Sequence, residues 1–260
     1  MEGTTATAKQ IPPPIQMLQI ISGFWIARCV YVLAKLSIAD LIKDEPKTVD
    51  ELAAATSTHA PSLFRVLRAL ASVGVITQDA NRFGATPLSD TLRSDVRGSI
   101  RAFAMTELGE EHYPAWGELL HSVRTGGIAF DKTFGEPIWE FFAKNPENAQ
   151  IFNDAMSGMT AQANEALHAA YSFAGIKKIM DVGGGHGGLI TSILQRNPEM
   201  TGILFDSPPV MISMFRSMNL LKCGSLVSGT TASTSINLPF SGKARWQFFR
   251  MATDCSSFQS

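Results

Sequence analysis

The chain has 260 residues, 45% apolar and 17% charged, which is enough to bury a core in one large domain or two modest ones and too apolar to stay unfolded. A formal net charge of −1 offers no basic excess for nucleic acid or an anionic membrane, so neither partner is expected. Cys29, Cys223 and Cys255 fit neither a disulfide framework nor zinc-ligand spacing and read as free thiols of a reducing cytoplasm.

No basic cluster precedes an apolar run at the N-terminus, so export is not expected. Residues 1–14, with Pro12-Pro13-Pro14, read as a disordered leader, and structure is expected to begin near Ile15. From Ile15 to Ile42 the chain is strongly apolar, but Gln16, Gln19, Arg28, Lys35 and Asp40 interrupt it too often for a membrane span. The segment reads as helices buried on several faces, partly by a second copy of the chain in a homodimer.

Thr48 and Glu51 form a capping box ahead of a short helix, Leu52 to Ala55. A second helix opens at Pro61, places Leu63, Val66, Leu67, Leu70 and Val73 on one face, and stops at Gly74. Two short strands, Gly74 to Thr77 and Arg82 to Thr86, flank the turn Asp79-Ala80-Asn81. Helix, helix and hairpin make a winged-helix pattern. DNA binding is disfavoured, because residues 1–100 hold ten Lys or Arg against nine Asp or Glu and the second helix offers only Arg65 and Arg68.

Residues 99–174 are helical in tone. Their aromatic residues, among them Trp116, Phe130, Phe134, Trp139, Phe141, Phe142 and Phe152, and their methionines Met105, Met156 and Met159 read mostly as core, with a pocket wall as the functional alternative. At Ile176 the period changes. A strand ending in Asp181-Val182, a glycine cluster from Gly183 to Gly188, a helix from Leu189 to Gln195 and a strand from Gly202 to Asp206 form one βαβ unit with parallel strands.

The glycine loop fits two cofactor classes. Gly183, Gly185 and Gly188 satisfy the dinucleotide pattern G-x-G-x-x-G, with Asp206 placed to accept hydrogen bonds from a ribose. Asp181, Gly183, Gly185 and Gly187 also satisfy D-x-G-x-G-x-G. S-adenosylmethionine is cationic at its sulfonium and ammonium groups, so a carboxylate ending the strand suits it and would oppose a pyrophosphate. The acid and the long helical stretch before the loop favour the methyl donor.

Several ordered segments together resemble the small-molecule O-methyltransferases of the class I, S-adenosylmethionine-dependent type, the caffeic acid, hydroxyindole and polyketide group. They are Ile20 to Trp25, Leu36 to Leu41, Leu67 to Gly74, Phe152 to Met156, Asp181 to Gly188 and Phe205 to Pro208. The resemblance implies an α/β fold, with a Rossmann-like methyltransferase domain preceded by a mostly helical winged-helix dimerisation domain. It implies a dimerisation domain at 15–100, a helical acceptor-pocket segment at 101–174 and the start of the cofactor domain at 175–210. By the same resemblance Asp181, Gly183, Gly184, Gly185 and Asp206 would bind S-adenosylmethionine, with Thr160 near its methionine end. Phe152 and Met156 would touch a hydroxylated aromatic or polyketide-like acceptor.

The resemblance stops near Val210. Family members continue with a G-D-x-F-like motif and a histidine motif that supplies the general base, but no histidine follows His186 here. His112, His121 and His168 read as surface or core rather than as stand-ins, so no catalytic residue is identified. Residues 211–260 hold one acid, five Lys or Arg and fourteen Ser or Thr, and read as an altered or truncated tail, such as a frame change or alternative splice would produce. Only 79 residues follow Asp181, against about 150 for a complete doubly wound sheet. An incomplete sheet with exposed apolar edges and marginal stability is therefore expected. Two functions stay open: an O-methyltransferase impaired by the missing base, or a non-catalytic dimerisation partner of a full-length O-methyltransferase.

Overall fold

The structure, a computed structural model, describes residues 11–206, residue 210 and the strands Thr234–Ile236 and Trp246–Phe249. Residues 1–10, most of the tail, Cys223 and Cys255 lie outside the described residues. The fold divides into two compact units, one ending at Ser94 and the other starting at Asp95.

The first unit opens with α1 (Pro13–Lys35), followed by α2 (Ile38–Leu41). The helix starts at Pro13 rather than Ile15, because proline lacks an amide hydrogen and suits a helical first turn, where that donor has no partner anyway. Within one chain its fully buried residues lie at its carboxyl end. Leu33 and Ala34 are its buried residues, whereas Met17, Leu18, Ile20, Ile21, Phe24 and Trp25 are exposed, Ile20 to 74% and Trp25 to 62%. Arg28 lies 4.5 Å over the Tyr31 ring, so its charge is accommodated along the helix surface.

Strand β1 (Lys47–Thr48) leads into α3 (Val49–Thr56), which is longer than the expected Leu52 to Ala55. The Thr48 hydroxyl accepts from the Glu51 amide, and the Glu51 carboxylate accepts from the Thr48 amide at 2.7 Å, so the capping box forms. Helix α4 (Ala60–Ser72) buries Leu63, Leu67 and Leu70 and packs on α1 and α3. Val73, assigned to the buried face, lies just past the helix and is exposed to 49%.

The wing comprises β2 (Thr77–Asp79) and β3 (Arg82–Gly84), joined by Ala80-Asn81. Val75 and Ile76 are buried but precede the strand, which begins three residues later than expected. Strand β1 pairs antiparallel with β3, so the sheet has the order β1-β3-β2. Phe83 is fully buried and meets Phe64 edge-on at 5.8 Å. A second capping box, Thr86 with Ser89, starts α5 (Pro87–Asp90). The unit closes where the Ser94 amide donates to Asp40 Oδ1 at 2.8 Å.

The second unit contains α6 (Arg101–Glu107), α7 (Tyr113–Gly117), α8 (Leu119–Thr125), α9 (Ala129–Phe134), α10 (Ile138–Lys144) and α11 (Pro146–Ala170). Helix α6 packs closely along α11. A Cβ at Gly158 on α11 would lie 2.5 Å from the Ser99 carbonyl oxygen, so a glycine permits that approach. Phe130 and Phe142 are buried as expected, but Trp116 and Trp139 are exposed to 62% and 64% and are not core.

Strand β4 (Lys178–Val182), helix α12 (Gly188–Arg196) and strand β5 (Thr201–Phe205) form the βαβ unit, with β4 and β5 parallel. Ile190, Ile193, Leu194, Met200 and Leu204 make its core. Gly202 admits α12 onto the sheet, since a Cβ there would meet Leu194 at 2.5 Å. The sheet continues through β6 (Thr234–Ile236) and β7 (Trp246–Phe249) in the order β4-β5-β7-β6. The expectation that both β4 and β5 lack a neighbour on one side therefore needs correction, because β7 pairs parallel with β5. Strand β4 has only β5 beside it among the described residues, and its Met180 and Val182 are exposed.

Candidate functional site

The glycine loop hangs from the carboxyl ends of two parallel strands. Asp181 stands opposite Leu204 and Val182 opposite Phe205, and the Gly183 amide extends the ladder with a 2.8 Å bond to the Phe205 carbonyl. The chain then turns, with the Gly187 amide donating to the Gly184 carbonyl at 2.8 Å, and enters α12 at Gly188. Gly183 and Gly185 sit at φ +73° and +56°, where a side chain strains the backbone. A Cβ at either would meet nothing within 4 Å, so both border open space. Gly184 has the opposite environment: a Cβ there would lie 2.4 Å from Leu204 and 2.6 Å from the Asp181 carboxyl.

Two acids flank this loop. Asp206, just past β5, accepts a 2.7 Å bond from the Gly185 amide through Oδ2, so it fixes the loop's position. Asp181 lies behind Gly184, and its buried Oδ2 has no hydrogen-bond partner among the described residues. Burial raises the Asp181 pKa above the ordinary carboxylate value; the Ile190 amide opposes the rise and the Asp206 charge adds to it. The described residues thus leave one carboxylate oxygen beneath the loop without a partner, while open space lies at the neighbouring Gly183 and Gly185. The buried His186 Nε2 in the same loop also lacks a partner among the described residues.

Thr160 on α11 is near the loop, since a Cβ at Gly188 would come within 3.8 Å of its methyl group. Asp181, Gly183, Gly184, Gly185, Asp206 and Thr160 therefore gather at one end of the βαβ unit. Phe152 and Met156 lie on α11, with Met156 exposed to 36%. Phe152 belongs to an aromatic cluster in which it meets Phe142 at 5.1 Å and Trp139 edge-on at 5.9 Å.

The histidines occupy distinct settings. His121 is on α8 beside Thr125, and His168 on α11 contacts Ser192 on α12 at 2.6 Å between Nε2 and Oγ. His112 stacks on Phe152, with ring planes 6° apart and centroids 6.1 Å apart. Sequence reasoning missed its surroundings. The neighbouring Glu111 is 2% exposed and accepts from Thr106 Oγ1 and from Asn148 Nδ2, each at 3.0 Å. An acid–histidine pair beside aromatic residues was the available signal, but Asn148 lies 37 positions away and no local pattern joins it to Glu111.

Comparison with known proteins places these features. Residues 18–95 match the O-methyltransferase dimerisation domain, and residues 116–221 match the O-methyltransferase domain. The chain is 46% identical over 204 residues to the phenazine O-methyltransferase PhzM of Lysobacter antibioticus, covering 78% of this chain and 60% of that protein. It thus spans about three fifths of the length of this curated relative. The crystal structure of LaPhzM matches with a TM-score of 0.77 and 43% identity, covering 84% of this chain and 67% of the other. An O-methyltransferase of neocarzinostatin biosynthesis, solved with S-adenosylmethionine and 2-hydroxy-5-methyl naphthoic acid, matches with a TM-score of 0.64 and 29% identity, covering 83% and 66%.

Proposed function

Because the chain belongs to the O-methyltransferase family, with the dimerisation domain ahead of the catalytic domain, we propose that it binds S-adenosylmethionine at the Asp181–Gly188 loop and takes a hydroxylated aromatic molecule as methyl acceptor. One observation carries the reading: a buried carboxylate oxygen of Asp181 without a partner among the described residues, beneath a loop that borders open space at Gly183 and Gly185. Bound there, S-adenosylmethionine would supply an electrophilic methyl group on a sulfonium.

The chain's own residues have separate tasks in this reading. Asp181 offers negative charge to the cationic methionine portion, with Thr160 beside it. Asp206 accepts from the ribose hydroxyls while holding the Gly185 amide, and the flat glycine backbone lets the ligand approach. Phe152 and Met156 provide an apolar wall for the acceptor, whose orientation and partial exclusion from water lower the barrier. The names of the relatives, which concern phenazine and naphthoic acid chemistry, support a fused aromatic acceptor.

Residues 15–100 are assigned to pairing of two copies, 101–174 to the acceptor side and 175–210 to the start of the cofactor domain. The exposed apolar face of α1 supports the homodimer, since Ile20, Ile21, Phe24 and Trp25 together are costly to leave in water. A cytoplasmic location belongs to the same reading.

A second reading has its own support: the same α1 face would let the chain pair with a full-length relative while transferring no methyl group itself. Incubating the purified chain with S-adenosylmethionine labelled in the methyl group and 1-hydroxyphenazine decides between them. Label in the extracted phenazine supports the enzyme. No label, together with co-purification of an intact family member, supports the pairing role.

A further inference from the structure

We propose that His112 reads the hydroxyl group of the aromatic acceptor, held in the accepting tautomer by a buried relay through Thr106 to Glu111. The proposal rests on the aromatic-acceptor reading above and identifies which residue recognises the polar group.

Hydrogen-bond direction fixes the tautomer. Thr106 is fully buried, and its single hydroxyl hydrogen goes to Glu111 Oε1 at 3.0 Å. The same oxygen lies 3.4 Å from His112 Nδ1, and with its hydrogen already committed it can only accept there. Nδ1 therefore carries a hydrogen, so that in the tautomer with a single ring hydrogen Nε2 is the acceptor. The Glu111 carboxylate, 4.0 Å from Nδ1, reinforces this arrangement by its charge. Asn148 Nδ2 donates to Glu111 Oε2 at 3.0 Å and fixes the carboxylate from the α11 side. A histidine that accepts at one nitrogen is commonly oriented by an acceptor at the other, and the Thr106 hydroxyl backed by Glu111 fills that role here.

The ring also belongs to the aromatic cluster around Phe152 that the proposed function assigns to the acceptor. His112 is parallel to Phe152 and tilted at 43° to Phe142 with centroids 6.3 Å apart, and both phenylalanines adjoin the exposed Trp139. Nε2 has no hydrogen-bond partner among the described residues, and the His112 side chain keeps 18% of its surface exposed. An aromatic hydroxyl set against this cluster would donate to Nε2, whereas an acceptor without a hydroxyl would stack but leave Nε2 unpaired. Selection then comes from one hydrogen bond made at the edge of an apolar contact.

The test compares binding of 1-hydroxyphenazine and unsubstituted phenazine to the full chain by absorbance titration, for the wild type, His112→Phe and Thr106→Val. His112→Phe keeps the stack and removes the acceptor; Thr106→Val keeps the volume and breaks the relay. The expected result is about tenfold tighter binding of the hydroxylated probe by the wild type, a factor set by one neutral hydrogen bond. In His112→Phe the two probes bind equally and phenazine binds as before, and in Thr106→Val the preference falls. A preference unchanged in His112→Phe, an equal loss of both probes in that variant, or no binding of either probe by the wild type overturns the proposal. Calorimetric titration with S-adenosylhomocysteine is independent of His112, so loss of that binding with retained hydroxyl preference would overturn the cofactor reading alone.

Discussion

The Gly185 amide donates a 2.7 Å hydrogen bond to the Asp206 carboxylate, so the acid expected to hold a ribose also clamps the loop across the ends of β4 and β5. In the proposed function one side chain would couple loop shape to ligand recognition. Asp206→Ala removes both functions, and a charge-assisted hydrogen bond contributes about 1.5–3 kcal/mol. S-adenosylhomocysteine affinity is expected to fall at least about tenfold by calorimetry, while Asp206→Asn, which can still accept from Gly185, loses less.

Asp181 gives the site a pH dependence. Its pKa is raised in the fold, chiefly by burial, so the fold favours the protonated side chain. That contribution to stability is complete below the unfolded value of about 3.9 and is lost as pH rises through the folded pKa. In the ligand-free chain Asp181→Asn should therefore melt higher than the wild type at pH 7, with the gain disappearing in acid. A cationic ligand requires the carboxylate, so S-adenosylmethionine affinity should fall as pH is lowered through the folded pKa, and Asp181→Asn should bind weakly at every pH. Scanning calorimetry and titrations at a series of pH values check both signs.

The exposed residues of α1 predict assembly. Placing a charge in that face, as in Ile21→Glu or Trp25→Glu, opposes its burial against a second copy. Light scattering should give a dimer mass for the wild type and a monomer mass for the variants. A wild-type monomer at micromolar concentration would remove the assigned role of α1.

Ala80 occupies the turn between Asp79 and Arg82 at φ +53°, where an alanine Cβ is crowded. Ala80→Gly should stabilise the chain by about 0.5–1 kcal/mol, after the entropy cost of glycine is subtracted. Urea unfolding would show a higher midpoint with an unchanged slope.

Features governed by neighbours in sequence were legible beforehand. The Thr48–Glu51 box, the Leu63, Leu67 and Leu70 stripe and the glycine turn after Asp181 each depend on spacings of a few residues. Features requiring distant partners were not. Nothing local tells that Glu111 is buried under Asn148, or that β7 borders β5. The apolar character of α1 was legible, but which of its residues stay exposed in a single chain was not, because composition alone does not say which face packs on α4. Trp139 likewise looked like core, yet it faces solvent at the rim of the cluster around Phe152.

Calorimetric titration of the purified chain with S-adenosylmethionine and, separately, with NAD is the most direct check on what the Asp181–Gly188 loop holds. Saturable binding of S-adenosylmethionine, about one per chain, that is lost in Asp181→Ala and Asp206→Ala is the predicted result. Binding of NAD with no heat from S-adenosylmethionine would contradict it, because a pyrophosphate would then occupy the place assigned to a cation.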